Sequence, residues 1–266
     1  MPFSEEDHKY FIVKCWKETC QGIDEYLENL GNRVFELSTE HLTVQDKKFM
    51  GIPLQSWLVA EMFKGNVEEY STSTTVELPK YINIVMFYEL YVEKKWDIYL
   101  SDKKLSDSTN ANAKRDDAEL HKSFIYNLMA AALVAILSTQ QLKKLTFKTI
   151  AEETRGFLQK ITAGLERTDI VIEVIEGQPN FQHRTLAEYL AASWLSDNIQ
   201  NGQIFKRGHL FESGFCMVRS MVDRILADKY PIHEAVLNSS LKQVENLLRK
   251  NKSMTENTVV EKPRCM

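Results

Sequence analysis

The stretch Phe181–Ala192, FQHRTLAEYLAA, places His183 and Arg184 at the mouth of an apolar helix. Thr185 followed by Glu188 spells S/T-x-x-E, a capping box in which each side chain satisfies a backbone N–H at the helix entrance. Leu186, Tyr189, Leu190 and Trp194 recur at three- and four-residue intervals, which makes one buried stripe. His183 falls just outside this expected cap, beside the positive end of the helix dipole, where an anion is stabilised. The same position suits a histidine that only packs or hydrogen-bonds at a strand-to-helix corner. Local sequence leaves both readings open.

Immediately upstream, IVIEVIEGQPNFQHR carries two runs rich in β-branched residues around Glu176-Gly177-Gln178-Pro179, a hairpin signal over about Ile170–Arg184. Nearly everything before Leu165 reads as helix. Ser4 with Asp7 opens a helix through about Glu18 with Phe11, Ile12 and Cys15 inward. A second helix, about Ile23–Leu37, puts Tyr26, Leu27, Leu30, Val34 and Leu37 on one face. A Gly51-Ile52-Pro53 turn starts a third, with Leu54, Trp57, Leu58 and Met62 as its stripe. Proline fits a first helical turn because the missing N–H has no intrahelical partner there. Gly65–Pro79 is polar and reads as a loop, followed by an aromatic-rich helix over about Tyr81–Asp102. Ser101–Asp117 has almost no apolar content and reads as a solvated linker. Helices over about Phe124–Leu137 and Phe147–Ala163 follow. The predicted fold class is therefore mainly α with one small β-hairpin. A hairpin that follows helices and feeds a helix suggests a winged-helix-like unit.

Tyr230–Asn251 matches most of an ankyrin repeat, PIHEA standing for the T-P-L-H-x-A signature. Ala235 and Val236 are expected to face inward in its first helix, and Val244, Leu247 and Leu248 to line the second. Because about three repeats make an independent stack, a single pair must lean on the helices before it. The predicted organisation is a helical subdomain (1–104), a linker (105–117), a winged-helix-like unit (118–198), a connecting helical segment (199–229), an ankyrin-like repeat (230–251) and a disordered tail (252–266).

Composition sets the outer limits. The 266 residues are 44% hydrophobic and 26% charged, the values of an ordinary soluble protein. A formal charge of −4 leaves no electrostatic footprint for nucleic acid, and the hairpin region has no Lys/Arg-rich recognition helix. Phe124–Leu137 is short for a membrane span and contains Asn127, so a buried core helix is expected and no membrane partner. MPFSEEDHKY is acidic and lacks an apolar signal region. Cys15, Cys20, Cys216 and Cys265 form no CxxC pair and are expected to be free thiols in a reducing compartment. The expected location is cytoplasmic. Glu5, Glu6 and Asp7 suit a solvated first turn and need no catalytic role. His8, His41, His121, His209 and His233 stand isolated in sequence, none next to a Ser or Cys in a nucleophile motif.

F-x-H-x-T-L-x-E-Y-L-A-A closely resembles the winged-helix signature of NACHT-domain proteins, the NOD-like branch of the signal-transducing STAND ATPases. The order of features agrees: a helical subdomain with a Gly-x-Pro turn, a winged helix with F-x-H, more helices, then ankyrin repeats. The resemblance covers about Phe3–Asn251 and is strongest at Asn180–Ala192 and Tyr230–Leu248. It implies that His183 contacts the β-phosphate of bound ADP and holds a closed state, and that Pro53 packs on adenine. The plainer reading of Pro53 is a proline that starts a helix. The departure is as informative as the match. No G-x-x-x-x-G-K-[ST] occurs, Gly202 to Gly208 coming nearest and ending in His209, and no Walker-B acidic run follows an apolar strand. The chain thus looks like the C-terminal slice of a larger switch, with no catalysis expected of it alone. ADP or ATP is implied only for an intact protein that supplies the nucleotide-binding module. The implied role is regulation and protein interaction through the ankyrin and helical surfaces, in cytosolic sensing or innate immune signalling. A stand-alone ankyrin-type scaffold is the alternative, and a winged-helix nucleic-acid binder the third reading.

Overall fold

A computed structural model describes residues 3–18, 24–40, 53–70, 83–102, 111–138, 141–142, 148–199, 213–237 and 241–246. These are mainly helical, with one small two-stranded antiparallel sheet. The helices are α1 (Glu5–Lys17), α2 (Asp24–Glu40), α3 (Pro53–Tyr70), α4 (Ile84–Asp102), α5 (Ala111–Ile136), α6 (Lys148–Thr162), α7 (Arg184–Asp197), α8 (Cys216–Lys229) and α9 (Pro231–Leu237). The strands are β1 (Val171–Ile175) and β2 (Gln178–Phe181). Residues 241–246 are also helical. The chain divides into two compact units, Met1–Ser106 and Asp107–Met266.

In the first unit, α1 begins where the sequence places it. Ser4 Oγ accepts from Asp7 N–H at 3.2 Å, and Asp7 Oδ2 accepts from Ser4 N–H at 2.9 Å, which closes a reciprocal capping box. These bonds hold the Asp7 carboxyl below its ordinary range. Helix α1 packs on α2 and α3, and α3 packs on α4. The inward face of α1 is His8, Ile12, Val13 and Trp16; Phe11 and Cys15, expected inward, are only half-buried. On α2, Leu27, Leu30, Val34 and Phe35 are buried, while Tyr26 and Leu37 sit at the margin. Pro53 is the first residue of α3, as expected, and is exposed.

The stripe of α3 differs from the sequence reading. Ser56, Leu58, Val59, Ala60, Phe63 and Val67 are buried, Met62 is half-buried and Trp57 is exposed. The helix meets α1, α2 and α4 at once, so its buried surface is broader than a single stripe. Residues 65–70, expected in a loop, continue α3. Val67 is buried there, and that packing outweighs the cost of a helical Gly65. Asn83 begins α4: its Oδ1 accepts from the N–H groups of Val85 and Met86 at 2.9 and 3.1 Å.

In the second unit, the 26-residue α5 is the central element. It takes α6, α7 and β2 against it; α8 packs on α7, and α9 on α8. Ala130, Ala131 and Ala132 of α5 and Ala187, Ala191 and Ala192 of α7 are all buried. Small side chains on both helices permit a close approach, and Phe124, Leu128, Leu133, Leu186, Leu190 and Trp194 of the same two helices are buried as well. Residues 111–117, expected in the linker, are the first two turns of α5. Ala111, Ala113, Lys114 and Arg115 favour helix, and a helix nucleated by packed residues extends by one hydrogen bond for each residue added. The remaining linker positions described end at Asp102 and resume at Ala111; 103–110 and the tail 252–266 lie outside the described residues. Among the described residues, no helix is long and apolar enough to cross a membrane.

The hairpin is tighter than expected. Glu176 and Gly177 both have positive φ, 52° and 79°, so they alone form the two-residue turn in the sense favoured by twisted strands. Gln178 and Pro179 therefore belong to β2. Ile175 pairs with Gln178 and Val174 with Pro179. In a two-residue hairpin the second pair is a non-hydrogen-bonded one, which spares the missing proline N–H. The register shifts between Val171 and Glu173.

Candidate functional site: the strand-to-helix corner

Strand β2 ends at Phe181, whose ring is buried, and the N–H of Gln182 donates to Ile170 O at 2.9 Å, carrying the ladder one residue further. Extended backbone persists at His183 (φ −141°, ψ 137°), which is the N-cap residue of α7. The imidazole is half-exposed, while Leu186, Ala187, Tyr189 and Leu190 behind it are buried. Phe181 thus anchors the corner in the core, and His183 stays partly exposed at the helix entrance.

The expected capping box is absent. The N-cap residue, His183, makes no side-chain cap bond, and the helix begins at Arg184, one residue before Thr185. Glu188 lies on the buried face of the helix and does not reach back to the cap backbone. Its Oε1 instead accepts from Arg184 Nε at 3.1 Å, one turn away, while the Arg184 side chain is largely exposed. The S/T-x-x-E spacing is present, but the cap position is held by His183, two residues earlier than the motif requires. The first backbone acceptor used is the His183 carbonyl, which receives the N–H of Leu186 at 3.0 Å. The His183 ring is thus not spent on a cap bond at the positive end of the helix, where an anion or water is stabilised.

Burial pushes the Glu188 carboxyl above its ordinary range, and Arg184 pulls it partly back. A raised folded value means that the protonated form stabilises the fold at low pH. That stability is lost as pH rises through the elevated value. Glu188→Gln is therefore expected to match or exceed the parent in stability at neutral pH, by up to about 1 kcal/mol, and to flatten the decline above the ordinary carboxyl range. Urea melts at a series of pH values check this; a clear loss at neutral pH with an unchanged profile would show that the Arg184 pair outweighs burial.

Pro53 belongs to the first unit and His183 to the second, each in its own surroundings. The segment whose sequence resembles an ankyrin repeat includes α9, where Ala235 is buried on α8 but Val236, expected inward, is 61% exposed. A seven-residue helix resting on one neighbour has room for a single buried position per turn. The ring of His233 lies 6.0 Å from that of Tyr230. Burial pushes the Asp223 carboxyl of α8 upward, and the charges of His233 and Arg219 draw it back. Val244 is half-buried, and Leu247 and Leu248 lie outside the described residues.

One histidine read as isolated has a partner. His8 Nδ1 and the Ser56 hydroxyl are hydrogen-bonded across α1 and α3, both buried. A sequence separation of 48 residues hides the pair. Ser56 is fully buried, so it cannot meet a substrate in this conformation, and the pair acts as a helix-to-helix tie. Cys15 and Cys216 are free thiols; Cys20, Cys265, His41 and His209 lie outside the described residues. Among the described residues, no three His, Cys, Asp or Glu side chains gather as metal ligands. Comparison with known protein families, curated proteins and solved structures finds no match for the chain.

Proposed function

We propose that the chain is the helical regulatory part of a nucleotide-controlled switch of the NACHT–ankyrin kind, with α5, α6, the hairpin and α7 as its winged-helix-like unit. The observation that carries this reading is the corner itself. A buried Phe181 precedes a half-exposed His183 that holds the N-cap position of α7 without spending its side chain on a cap bond. This is the arrangement by which F-x-H would aim an imidazole at a phosphate near the positive end of a helix. The chain's own part is to hold that imidazole at a fixed place: Phe181 fixes the depth of the strand, and the α7 stripe fixes the helix direction. Phosphate cradling and any metal ligation fall to a nucleotide-binding module supplied by the intact protein. Release of the contact would shift a closed population towards an open one. Protein partners would meet the helical and ankyrin-like surfaces, in a cytoplasmic sensing role.

A second reading, an ankyrin-type scaffold indifferent to nucleotide, draws on the exposed Tyr230, Val236 and Leu241 of the C-terminal helix pair. ADP separates the two. Titrated into the isotopically labelled chain, ADP is expected to shift the His183 ring and the Arg184 and Thr185 amides, saturating only in the millimolar range because most of the phosphate site is missing. His183→Ala should remove those shifts while changing stability by less than about 0.5 kcal/mol, as at other surface positions. The isolated chain should hydrolyse no ATP above background. Absence of any response at the corner, together with a large stability loss in His183→Ala, would make His183 a structural corner residue and favour the scaffold.

A further inference from the structure

His8 docks α1 through a ring that has lost nearly all its water: the residue is 4% exposed. On α3 its partner is the fully buried Ser56 hydroxyl. On α2 it meets the Phe35 ring at 5.9 Å between centroids, and Phe3, just before α1, lies edge-on at 5.4 Å. One imidazole thus ties three helices together. We propose that α1 is an acid-released arm: a proton on His8 undocks it from α2 and α3 and uncovers the apolar face of Ile12, Val13 and Trp16.

The chemistry is that of a neutral ring in a neutral pocket. A neutral imidazole has one donor and one acceptor nitrogen, and a serine hydroxyl can turn to complement either. A charged imidazolium at this site exchanges its hydration for two phenyl rings and one hydroxyl dipole, which together repay only part of the loss. The carboxylates that act on the ring, Asp7 and Glu5, both lie on α1 itself and are exposed. Asp7 is also committed to the Ser4 N–H and hydroxyl. From α2 the neighbour is Phe35, over whose ring the Lys9 ammonium of α1 sits at 5.1 Å. From α3 it is Ser56. Burial therefore outweighs the two carboxylates and holds the His8 ring below its ordinary value. The released α1 binds the proton more tightly than the docked one. Docking is then fully stable above the ordinary histidine value and weakens as pH falls below it, until the docked ring also titrates.

Hydrogen–deuterium exchange of the whole chain, compared at mildly alkaline and mildly acidic pH after correction for intrinsic rates, tests this. On acidification the α1 amides are expected to lose at least about tenfold in protection. Helices α2, α3 and α4 should keep theirs. In His8→Gln, which can bond Ser56 but not take a proton, the pH-dependent loss should disappear. Unchanged protection of α1 in the parent, the same loss in His8→Gln, or opening of α2–α4 together with α1 would each overturn the proposal. Should His8→Gln fail to fold, the ring resonances of His8 in the parent decide: a midpoint below the ordinary histidine value supports the arm, and one at or above it overturns it.

Discussion

Trp16→Ala is expected to cost the first unit about 3–5 kcal/mol, the usual range for removing a large buried aromatic. Trp16 is 1% exposed and lies on α1 where that helix crosses α2 and α3. Its indole Nε1 donates to the Ala60 carbonyl of α3 at 2.8 Å, so the ring is both filler and tie. The two parts are separable. Trp16→Phe keeps most of the volume and loses the donor, and is expected to cost about 1–2 kcal/mol, the bond itself plus imperfect filling. The alanine variant loses the volume as well, and α3, whose Ala60 carbonyl holds the indole, is a regular helix that collapses only partly into the space. Urea melts of the three proteins at neutral pH measure the series. An alanine variant within about 1 kcal/mol of the parent would mean that α1 contributes little to this core.

What the sequence makes readable follows from how local each signal is. The Ser4–Asp7 cap, the first-turn Pro53 and the hairpin signal at Glu176–Pro179 are all written within four residues; the structure contains each of them, with the turn itself narrowed to Glu176 and Gly177. The hairpin strand Val171–Ile175 is legible for the same reason. The false capping box at Thr185 is instructive because the motif is also local. Its Glu188 obeys the spacing, yet the helix needs that position on its buried face, and tertiary packing decides between the two uses. Residues 111–117 mislead in the opposite way: their polarity suggests a linker, but next to a packed helix only their helix propensity matters. The His8–Ser56 tie is invisible in the sequence, since nothing short-range connects α1 to α3. At the corner, local sequence leaves open whether His183 packs or faces outward. It is the fold that shows a half-exposed His183 beside a buried Phe181, with no cap bond from the His183 side chain.

Gly31→Ala shows the same contest with its sign reversed. Helix propensity alone would favour alanine over glycine in the middle of α2 by about 1 kcal/mol. Yet a Cβ built on Gly31 would lie 2.6 Å from Val13 Cγ2 of α1, with Trp16 Cζ3 at 3.8 Å alongside. Val13 is buried, and a β-branched side chain in a helix has essentially one rotamer to offer, so the methyl cannot swing aside. The helices must instead separate, which loosens the contact between α1 and α2, whose buried residues include Ile12 and Trp16 on one and Leu27, Leu30 and Val34 on the other. Overpacking of this kind costs more than propensity returns, and the net expectation is a loss of about 1–3 kcal/mol. Gly65→Ala supplies the contrast: Gly65 is exposed on α3 with nothing within 4 Å of the added carbon, so the variant should gain about 0.5–1 kcal/mol. A double variant, Gly31→Ala with Val13→Ala, removes the clashing methyl. It should be less destabilised than the two single losses added together, because the sites are in contact. Chemical melts of the parent, the two single variants and the double variant give the cycle. A Gly31→Ala variant as stable as Gly65→Ala, or strict additivity with Val13→Ala, would show that α1 and α2 do not meet at this glycine.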